Sequence, residues 1–209
     1  MSQATAPKYD LVLKGGRVID ERNGRDGRFD VAIARGKIAA IALSIDADGA
    51  RVRDVTGYIV SPGLIDIHTH VYHKATSLSV DPGLVARRSA ITTLIDAGSA
   101  GAGNFDGFRD YVMAHSAYRI LAFLNISFPG IFGFDKDVQL GEATARSMLP
   151  VHHCVAKIEA NPDRIIGVKV RIGGLVTGDF GLGALELALE AANAVGLPLM
   201  THIGHPPPS

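Results

Sequence analysis

Tryptophan is absent from this chain of 209 residues, and cysteine occurs only once, at Cys154. A single thiol excludes an internal disulfide and is typical of proteins that fold in a reducing compartment. No uninterrupted apolar run is long enough to cross a bilayer, and the first ten residues lack the basic and apolar regions of a signal peptide. These absences predict a cytoplasmic protein with no membrane association.

Neither sign of charge is in excess, because 21 Lys and Arg residues balance 21 Asp and Glu residues. No basic block indicates nucleic acid binding, and no polybasic or amphipathic segment indicates a membrane surface. Hydrophobic residues make up 47% of the chain, which is enough for a sizeable core. The composition therefore predicts a globular protein that binds neither nucleic acid nor a membrane. It is also compatible with a homo-oligomer.

Residues 1–60 contain short strand-like segments and no helical period. We predict strands over residues 9–14 and 17–20, joined by a turn at Gly15-Gly16, and a polar loop over residues 21–28. Further strands are predicted over residues 30–34, 37–43 and 51–56. We interpret this segment as a small all-β domain that supports the rest of the chain and carries no chemistry.

Residues 61–209 alternate between strands and helices and form the second predicted domain. The predicted strands are 64–70, 90–96, 119–127, 164–172 and 197–202, and the predicted helices are 81–88, 106–115, 149–160 and 182–195. This order implies right-handed βαβ crossovers and a parallel sheet. Either an open doubly wound sheet or five strands of a (β/α)₈ barrel fits the pattern. The glycine fingerprint that binds dinucleotides is absent after the first strand, which weakens the doubly wound alternative.

The first of these strands ends in two histidines, His68 and His70. Side chains alternate between the two faces of a strand, so the two imidazoles should point the same way. Such a pair is half of a metal site. The spacing alone fits a chance pair of polar residues equally well, so the interpretation depends on partners elsewhere in the chain.

The fourth and fifth strands supply candidate partners. Lys169 and Arg171 share the face opposite the apolar residues of their strand, which predicts that both point into the barrel. A desolvated lysine loses its charge, and a neutral amine can react with carbon dioxide to give a carbamate that bridges two metals. The alternative for Lys169 is a salt bridge to Asp66 or Asp96. His202, at the end of the fifth strand, is a further candidate ligand or a structural histidine.

Residues 62–70, Pro-Gly-Leu-Ile-Asp-Ile-His-Thr-His, resemble the opening strand of the amidohydrolase superfamily. The preceding all-β region is similar to the β-sandwich domain of the cyclic amidase and deacetylase branches. The resemblance implies a partial TIM-like barrel that comprises strands 1–5 of 8. It also implies two divalent metal ions, with zinc as the expected metal, and ligands from four positions: His68, His70, carbamylated Lys169 and His202.

The resemblance also narrows the branch. In dihydroorotases an arginine follows the second histidine closely, whereas here His70 precedes Val71-Tyr72-His73. Residues 96–105, 123–127 and 130–134 look like the dihydroorotase-like deacetylase group. This resemblance implies a small-molecule substrate, either an N-acyl amino acid or an acetyl ester of a small acid, that is hydrolysed by metal-activated hydroxide. The alternative is a cyclic amidase of the dihydroorotase or hydantoinase type.

Two family residues have no counterpart here, namely a strand-six histidine ligand and a strand-eight aspartate that acts as general acid and base. We therefore assign no catalytic residue, expect the chain to be truncated after strand five, and consider His205 a poor substitute for the missing ligand. A catalytically incomplete fragment is the third interpretation. For substrate binding we predict Arg171, which could clamp a carboxylate or form a structural ion pair, and Tyr72, which could line the pocket or pack in the core.

Overall fold

The computed structural model describes residues 8–135, 137–138 and 140–204. The chain divides into two compact units, residues 1–62 and residues 63–209. In the part of the chain that the structure describes, no helix combines the length and the apolar character that spanning a bilayer requires. His205 lies outside the described residues.

The N-terminal unit contains one mixed sheet of five strands. The strands are β1 (Leu11–Asp20), β2 (Arg25–Ala34), β3 (Lys37–Ala42), β4 (Arg51–Asp54) and β5 (Ile59–Val60). β1 to β3 form an antiparallel meander, and β4 and β5 pair in parallel with different parts of β1. The 3-10 turn Glu21–Asn23 closes the first hairpin, with Gly24 in the left-handed conformation.

Two local predictions for this unit are wrong. Gly15-Gly16 is not a turn, because β1 continues through it as a bulge, with a register shift between Leu13 and Gly16. Gly15 has φ of +75°, a value that glycine adopts without steric penalty. Residues 25–28 belong to strand β2 and not to a loop. Their polar side chains do not prevent pairing, because the ladder with β1 uses backbone groups.

An ion pair between the partly exposed Lys14 and the buried Asp30 lies at this bulge. Asp30 is 5% exposed and accepts hydrogen bonds from the Lys14 Nζ at 2.6 Å and from the backbone N–H groups of Gly15 and Ile45, each at 2.9 Å. Lys14 also donates to the Ile45 carbonyl at 2.7 Å. Each of these polar groups therefore has a partner, as buried polar groups normally do.

The C-terminal unit is a parallel sheet flanked by helices. Its strands are β6 (Leu64–Thr69), β7 (Ile91–Gly101), β8 (Arg119–Asn125), β9 (Ile165–Ile172) and β10 (Leu199–Ile203), which lie side by side in chain order. The α-helices are α1 (Pro82–Ala86), α2 (Phe105–Phe108), α3 (Val151–Glu159), α4 (Gly174–Thr177) and α5 (Gly183–Val195). A π-helical turn, Arg109–Met113, continues α2. This curled half-barrel of five strands confirms the predicted α/β class and partial barrel.

The helix boundaries follow from local signals. Asp81 caps α1 by accepting hydrogen bonds from the N–H groups of Gly83 at 2.6 Å and Leu84 at 3.3 Å, and Pro82 occupies the first turn. Gly196 ends α5 with φ of +65°. The structure extends the predicted second strand as far as Gly101, so the small residues 97–101 belong to β7.

Burial differs strongly between the central and outer strands of this sheet. β9 is almost entirely buried between its neighbours β8 and β10. On β6, by contrast, Leu64, Ile65 and Ile67 are each more than half exposed. β6 and β10 are the outer strands of the described sheet, which explains the exposure of their apolar side chains.

Candidate metal centre

The predicted ligands lie towards the carboxyl ends of β6, β9 and β10. His68 lies near the end of β6 and His70 directly after it, with their ring centroids 5.6 Å apart. Lys169 and Arg171 lie on β9, and the register of the parallel ladder places His202 of β10 beside Arg171. Carboxyl ends of parallel strands share one edge of a sheet, so residues distant in sequence are brought to one place.

Lys169 is buried without a partner. It is 1% exposed, and within the described residues its Nζ makes no hydrogen bond or ion pair. The alternative of a salt bridge to Asp66 or Asp96 is therefore not observed. Burial, and next the positive charge of Arg171, lower the pKa of Lys169 to about 8. The aliphatic stem fits against Gly98, where a Cβ atom would overlap it.

The pKa values of His68, His70 and His202 are all lowered. Burial first, then the charges of His68 and Lys169, lower the pKa of His70 to about 4. Burial is also the largest cause of the lowered pKa values of His68 and His202. A lowered pKa favours the neutral imidazole, which is the form that offers a ring nitrogen to a metal ion.

The C-terminal part of β7 contacts His70. The Ser99 Oγ lies 2.9 Å from the His70 Nδ1. Asp96 is fully buried and accepts hydrogen bonds from the N–H groups of Val71 at 2.8 Å and Ser99 at 2.7 Å. Burial outweighs these hydrogen bonds and raises the pKa of Asp96 to about 6. Asp96 thus joins the segment after His70 to the C-terminal part of β7, which carries Ser99.

Sequence reasoning did not find Ser99. The available signal was its place three residues after a strand-end aspartate, since Asp side chains often accept hydrogen bonds from nearby backbone N–H groups. The contact with His70 spans 29 residues and depends on the pairing of β6 with β7. No local pattern predicts such a contact.

Arg171 forms an ion pair with a second residue that the sequence did not indicate, Glu142. The Arg171 Nη1 lies 3.2 Å and 3.4 Å from the two Glu142 carboxylate oxygens, and both side chains are about 10% exposed. The guanidinium also lies 4.9 Å from the ring centroid of Phe134. Burial raises the pKa of Glu142 more than Arg171 lowers it. The ion-pair alternative for Arg171 is therefore present, and its substrate role stays a prediction.

Tyr72 packs in the core and faces away from the predicted ligands. Its ring centroid lies 4.7 Å from that of Phe108, and its hydroxyl donates to the Asn104 carbonyl at 3.2 Å. It lines a cleft whose described lining includes none of the four predicted metal ligands. Its role in substrate binding also stays a prediction.

The residues present fit a metal centre of the implied kind. Among the described residues, no three His, Cys, Asp or Glu side chains gather closely enough to hold one ion by themselves. The predicted set does not require such a triad, because it divides three histidines between two ions and shares Lys169 between them. A buried amine with no protein partner, beside neutral imidazoles, is compatible with this division.

Comparisons with known proteins identify the family. The chain matches no family model. It is 37% identical over 174 residues to a deacetylase of Agrobacterium fabrum. The matched residues make up 82% of this chain and 42% of that protein. Its fold matches a crystal structure of a dihydroorotase with a TM-score of 0.85 and 31% identity, over 97% of this chain and 52% of the other. The chain belongs to the amidohydrolase superfamily.

This amidohydrolase spans about half the length of the relatives it matches. A crystal structure of an adenine deaminase is as similar as the dihydroorotase, with a TM-score of 0.84 and 31% identity over 96% of this chain and 52% of the other. Three relatives of comparable similarity thus carry three different names. Membership of the superfamily therefore establishes a hydrolytic family and leaves the substrate to be argued from the site.

Proposed function

We propose that this chain is part of a metal-dependent amidohydrolase of the deacetylase type. Its substrate would be an N-acyl amino acid or an acetyl ester of a small acid. The observation that carries this proposal is Lys169, whose buried Nζ has no partner within the described residues. An unpaired buried amine destabilises a fold, so its presence beside three histidines supports a functional role. The similarity to a protein named deacetylase supports the type of reaction.

Four side chains would hold the metals. His68 and His70 would bind one ion, His202 would bind the other, and Lys169 would bridge the two as a carbamate. The Lys169 nitrogen forms a bond to the carbon of carbon dioxide and releases one proton, which converts the neutral amine to an anion. Zinc is the expected metal for a hydrolytic site rich in imidazole. When bound, two such ions supply water activation near neutral pH and polarisation of the scissile carbonyl.

The protein's own groups prepare this site. The low pKa of His70 keeps its ring neutral, and the Ser99 hydroxyl fixes the orientation of that ring. Glu142 contacts only the Nη1 of Arg171. The Nε and Nη2 atoms of Arg171 make no hydrogen bond within the described residues. That free edge of the guanidinium suits a bidentate contact with the carboxylate of a substrate.

Metal analysis tests the ligand assignment. In a version extended to the length of the relatives, we expect about two divalent ions per chain and their loss in Lys169→Ala. Lys157→Ala is the matched control, because Lys157 pairs with Asp106 at the surface and does not contact the site. Full metal occupancy in Lys169→Ala would contradict the bridging role.

A substrate panel tests the reaction. The similarity to a crystal structure of a dihydroorotase favours one alternative, a cyclic amidase. We expect the extended protein to hydrolyse acetylated amino acids or acetyl esters and to leave dihydroorotate and hydantoins intact. Ring opening without deacetylation would establish the cyclic amidase. If the metal-loaded protein turned over neither class, the interpretation as a catalytically incomplete fragment would replace both.

A further inference from the structure

A cavity of about 590 Å³ lies between the loop after β6, helix α1 and the helix formed by α2 with its π-helical turn. We call it the α1–α2 cleft. Its polar and aromatic lining includes Tyr72, His73, Lys74, Asp81, Arg87 and Tyr111. The volume lies within the range of small-molecule sites, about 300–1,000 Å³. The predicted metal ligands do not line it within the described part of the chain, so it is a separate candidate site.

The charges on the cleft favour a monoanion. Lys74 and Arg87 each carry a positive charge, and no ion pair of either is present among the described residues. Arg87 donates from Nε to the Gly83 carbonyl at 3.0 Å, which holds the side chain and leaves its terminal nitrogens available. The one lining carboxylate, Asp81, already accepts two backbone N–H groups as the cap of α1. The two cations and this one carboxylate give the lining a net charge of about +1 when only Lys, Arg and Asp are counted.

The aromatic lining favours a flat ligand. Three of the five tyrosines in the chain, Tyr72, Tyr111 and Tyr118, line this one cleft. Tyr111 is 80% exposed, although a tyrosine ring gains from burial against another surface. Tyr72 is fixed by its contacts with Phe108 and Asn104. The cleft therefore presents one rigid and one exposed ring on which a planar group can pack.

In the loop after β6, one residue has a buried polar atom without a partner and the next has an unusual backbone conformation. The Nδ1 of His73 is buried and has no hydrogen-bond partner among the residues that the structure describes. Lys74 has φ of +65°, in the left-handed region that non-glycine residues seldom adopt. Unsatisfied polar atoms and unusual backbone angles tend to occur at binding sites. Both features lie in the cleft wall next to the cation Lys74.

We propose that the α1–α2 cleft binds an aromatic monocarboxylate, with Lys74 and Arg87 facing the carboxylate and the tyrosines packing against the ring. The charge of the cleft matches one carboxylate, and the exposed ring of Tyr111 supplies the apolar contact. This site is independent of the proposed function, since it uses neither the metals nor their ligands.

Benzoate is a suitable probe, and calorimetric titration of the chain treated with a chelator measures its binding without metal. We expect one saturable site with a dissociation constant of about 1 mM or tighter. Arg87→Ala and Lys74→Ala should each weaken binding about fivefold or more, because each removes a charged contact. Arg88→Ala is the matched control, since Arg88 is exposed and adjacent but does not line the cleft. Tyr111→Ala should weaken binding, and Tyr111→Phe should retain it.

Two further ligands separate charge from shape. Benzamide is planar but neutral, and cyclohexanecarboxylate is anionic but not planar, so each should bind at least about fivefold more weakly than benzoate. Equal binding of either compound would overturn the proposed ligand class. Absence of saturable binding, or equal loss in Arg88→Ala, would overturn the site. Loss in Arg171→Ala with normal binding in Arg87→Ala would place benzoate at the candidate metal centre instead.

Discussion

Two lysines, the partly exposed Lys14 and the buried Lys169, have different surroundings in the two units of this chain. In the N-terminal unit, Lys14 lies 2.6 Å from a carboxylate oxygen of Asp30 and also donates to a carbonyl. In the C-terminal unit, Lys169 is more deeply buried, and its Nζ has no partner within the described residues. The first arrangement stabilises a fold. The second destabilises it and leaves an amine available for chemistry.

The largest change in stability is expected when Lys14 is replaced. Lys14→Met should lower the free energy of unfolding by about 2–3 kcal/mol, below the usual range for a buried pair because Lys14 is partly exposed. The substitution leaves the Asp30 carboxylate buried without its counter-ion. Urea unfolding monitored by circular dichroism measures the change, with Lys37→Met on the exposed face of β3 as the control. Equal stability of the two variants would show that the pair contributes little.

Replacing Lys169 should increase the stability of the fold, whereas replacing Lys14 should decrease it. Lys169→Met keeps most of the side-chain volume and removes a buried amine without a partner, so the metal-free protein should gain about 1–2 kcal/mol of stability. The same urea experiment measures this gain. A loss of stability would mean that Lys169 has a stabilising partner in solution, and the contrast with Lys14 would disappear.

The same contrast extends to the carboxylates and their pH dependence. Burial raises the pKa of Asp30, but hydrogen bonds from Lys14, Ile45 and Gly15 lower it below its usual value of 3.8. A depressed carboxyl pKa stabilises the fold above the unfolded value, and this contribution is lost as the pH falls through the folded value. Asp96 has a raised pKa of about 6, so its contribution is lost as the pH rises from about 4 to 6.

Unfolding measured across pH 3–7 separates these two contributions. Asp30→Asn should flatten the acid side of the stability profile, and Asp96→Asn should flatten the region between about pH 4 and 6. Asp26→Asn, which alters an exposed pair with Arg17, is the control. A profile in which Asp30→Asn and Asp96→Asn act in the same pH range would contradict the assignment of opposite shifts.

A separate prediction, on metal affinity rather than on stability, concerns the contact between Ser99 and His70. Ser99→Ala removes the hydroxyl next to the His70 Nδ1, and loss of such a contact typically weakens metal binding about 10-fold to 100-fold. Titration with Zn²⁺ under a competing chelator measures the affinity. Ser89→Ala is the control, since Ser89 bonds only within the turn after α1. An unchanged affinity would show that Ser99 does not orient the ligand.

Much of this architecture could be predicted from the sequence. The strand-end positions of His68, Lys169 and His202 follow from periodicity and from the resemblance, and the caps of α1 and α5 follow from Asp81 and Gly196. Local patterns could not predict the bulge at Gly15-Gly16, because a glycine pair permits either a turn or a bulge and the pairing with β2 decides between them.

The side-chain contacts around the predicted ligands could not be predicted from the sequence. Glu142 contacts Arg171, which is 29 residues away in sequence, and Ser99 contacts His70 at the same sequence separation. Contacts of this kind depend on how loops at the ends of different strands pack. The absence of a partner for Lys169 was also not predictable, since Asp66 and Asp96 were available in sequence and only the structure shows that neither forms an ion pair with it.

The central claim is that the Lys169 amine reacts with carbon dioxide and becomes a metal ligand. Carbon-13 NMR of the protein incubated with Zn²⁺ and ¹³C-labelled bicarbonate tests it directly. We expect a lysine carbamate resonance in the wild-type chain that disappears in Lys169→Met and persists in Lys157→Met. A spectrum with no carbamate carbon, or one whose carbamate signal survives in Lys169→Met, would contradict the claim.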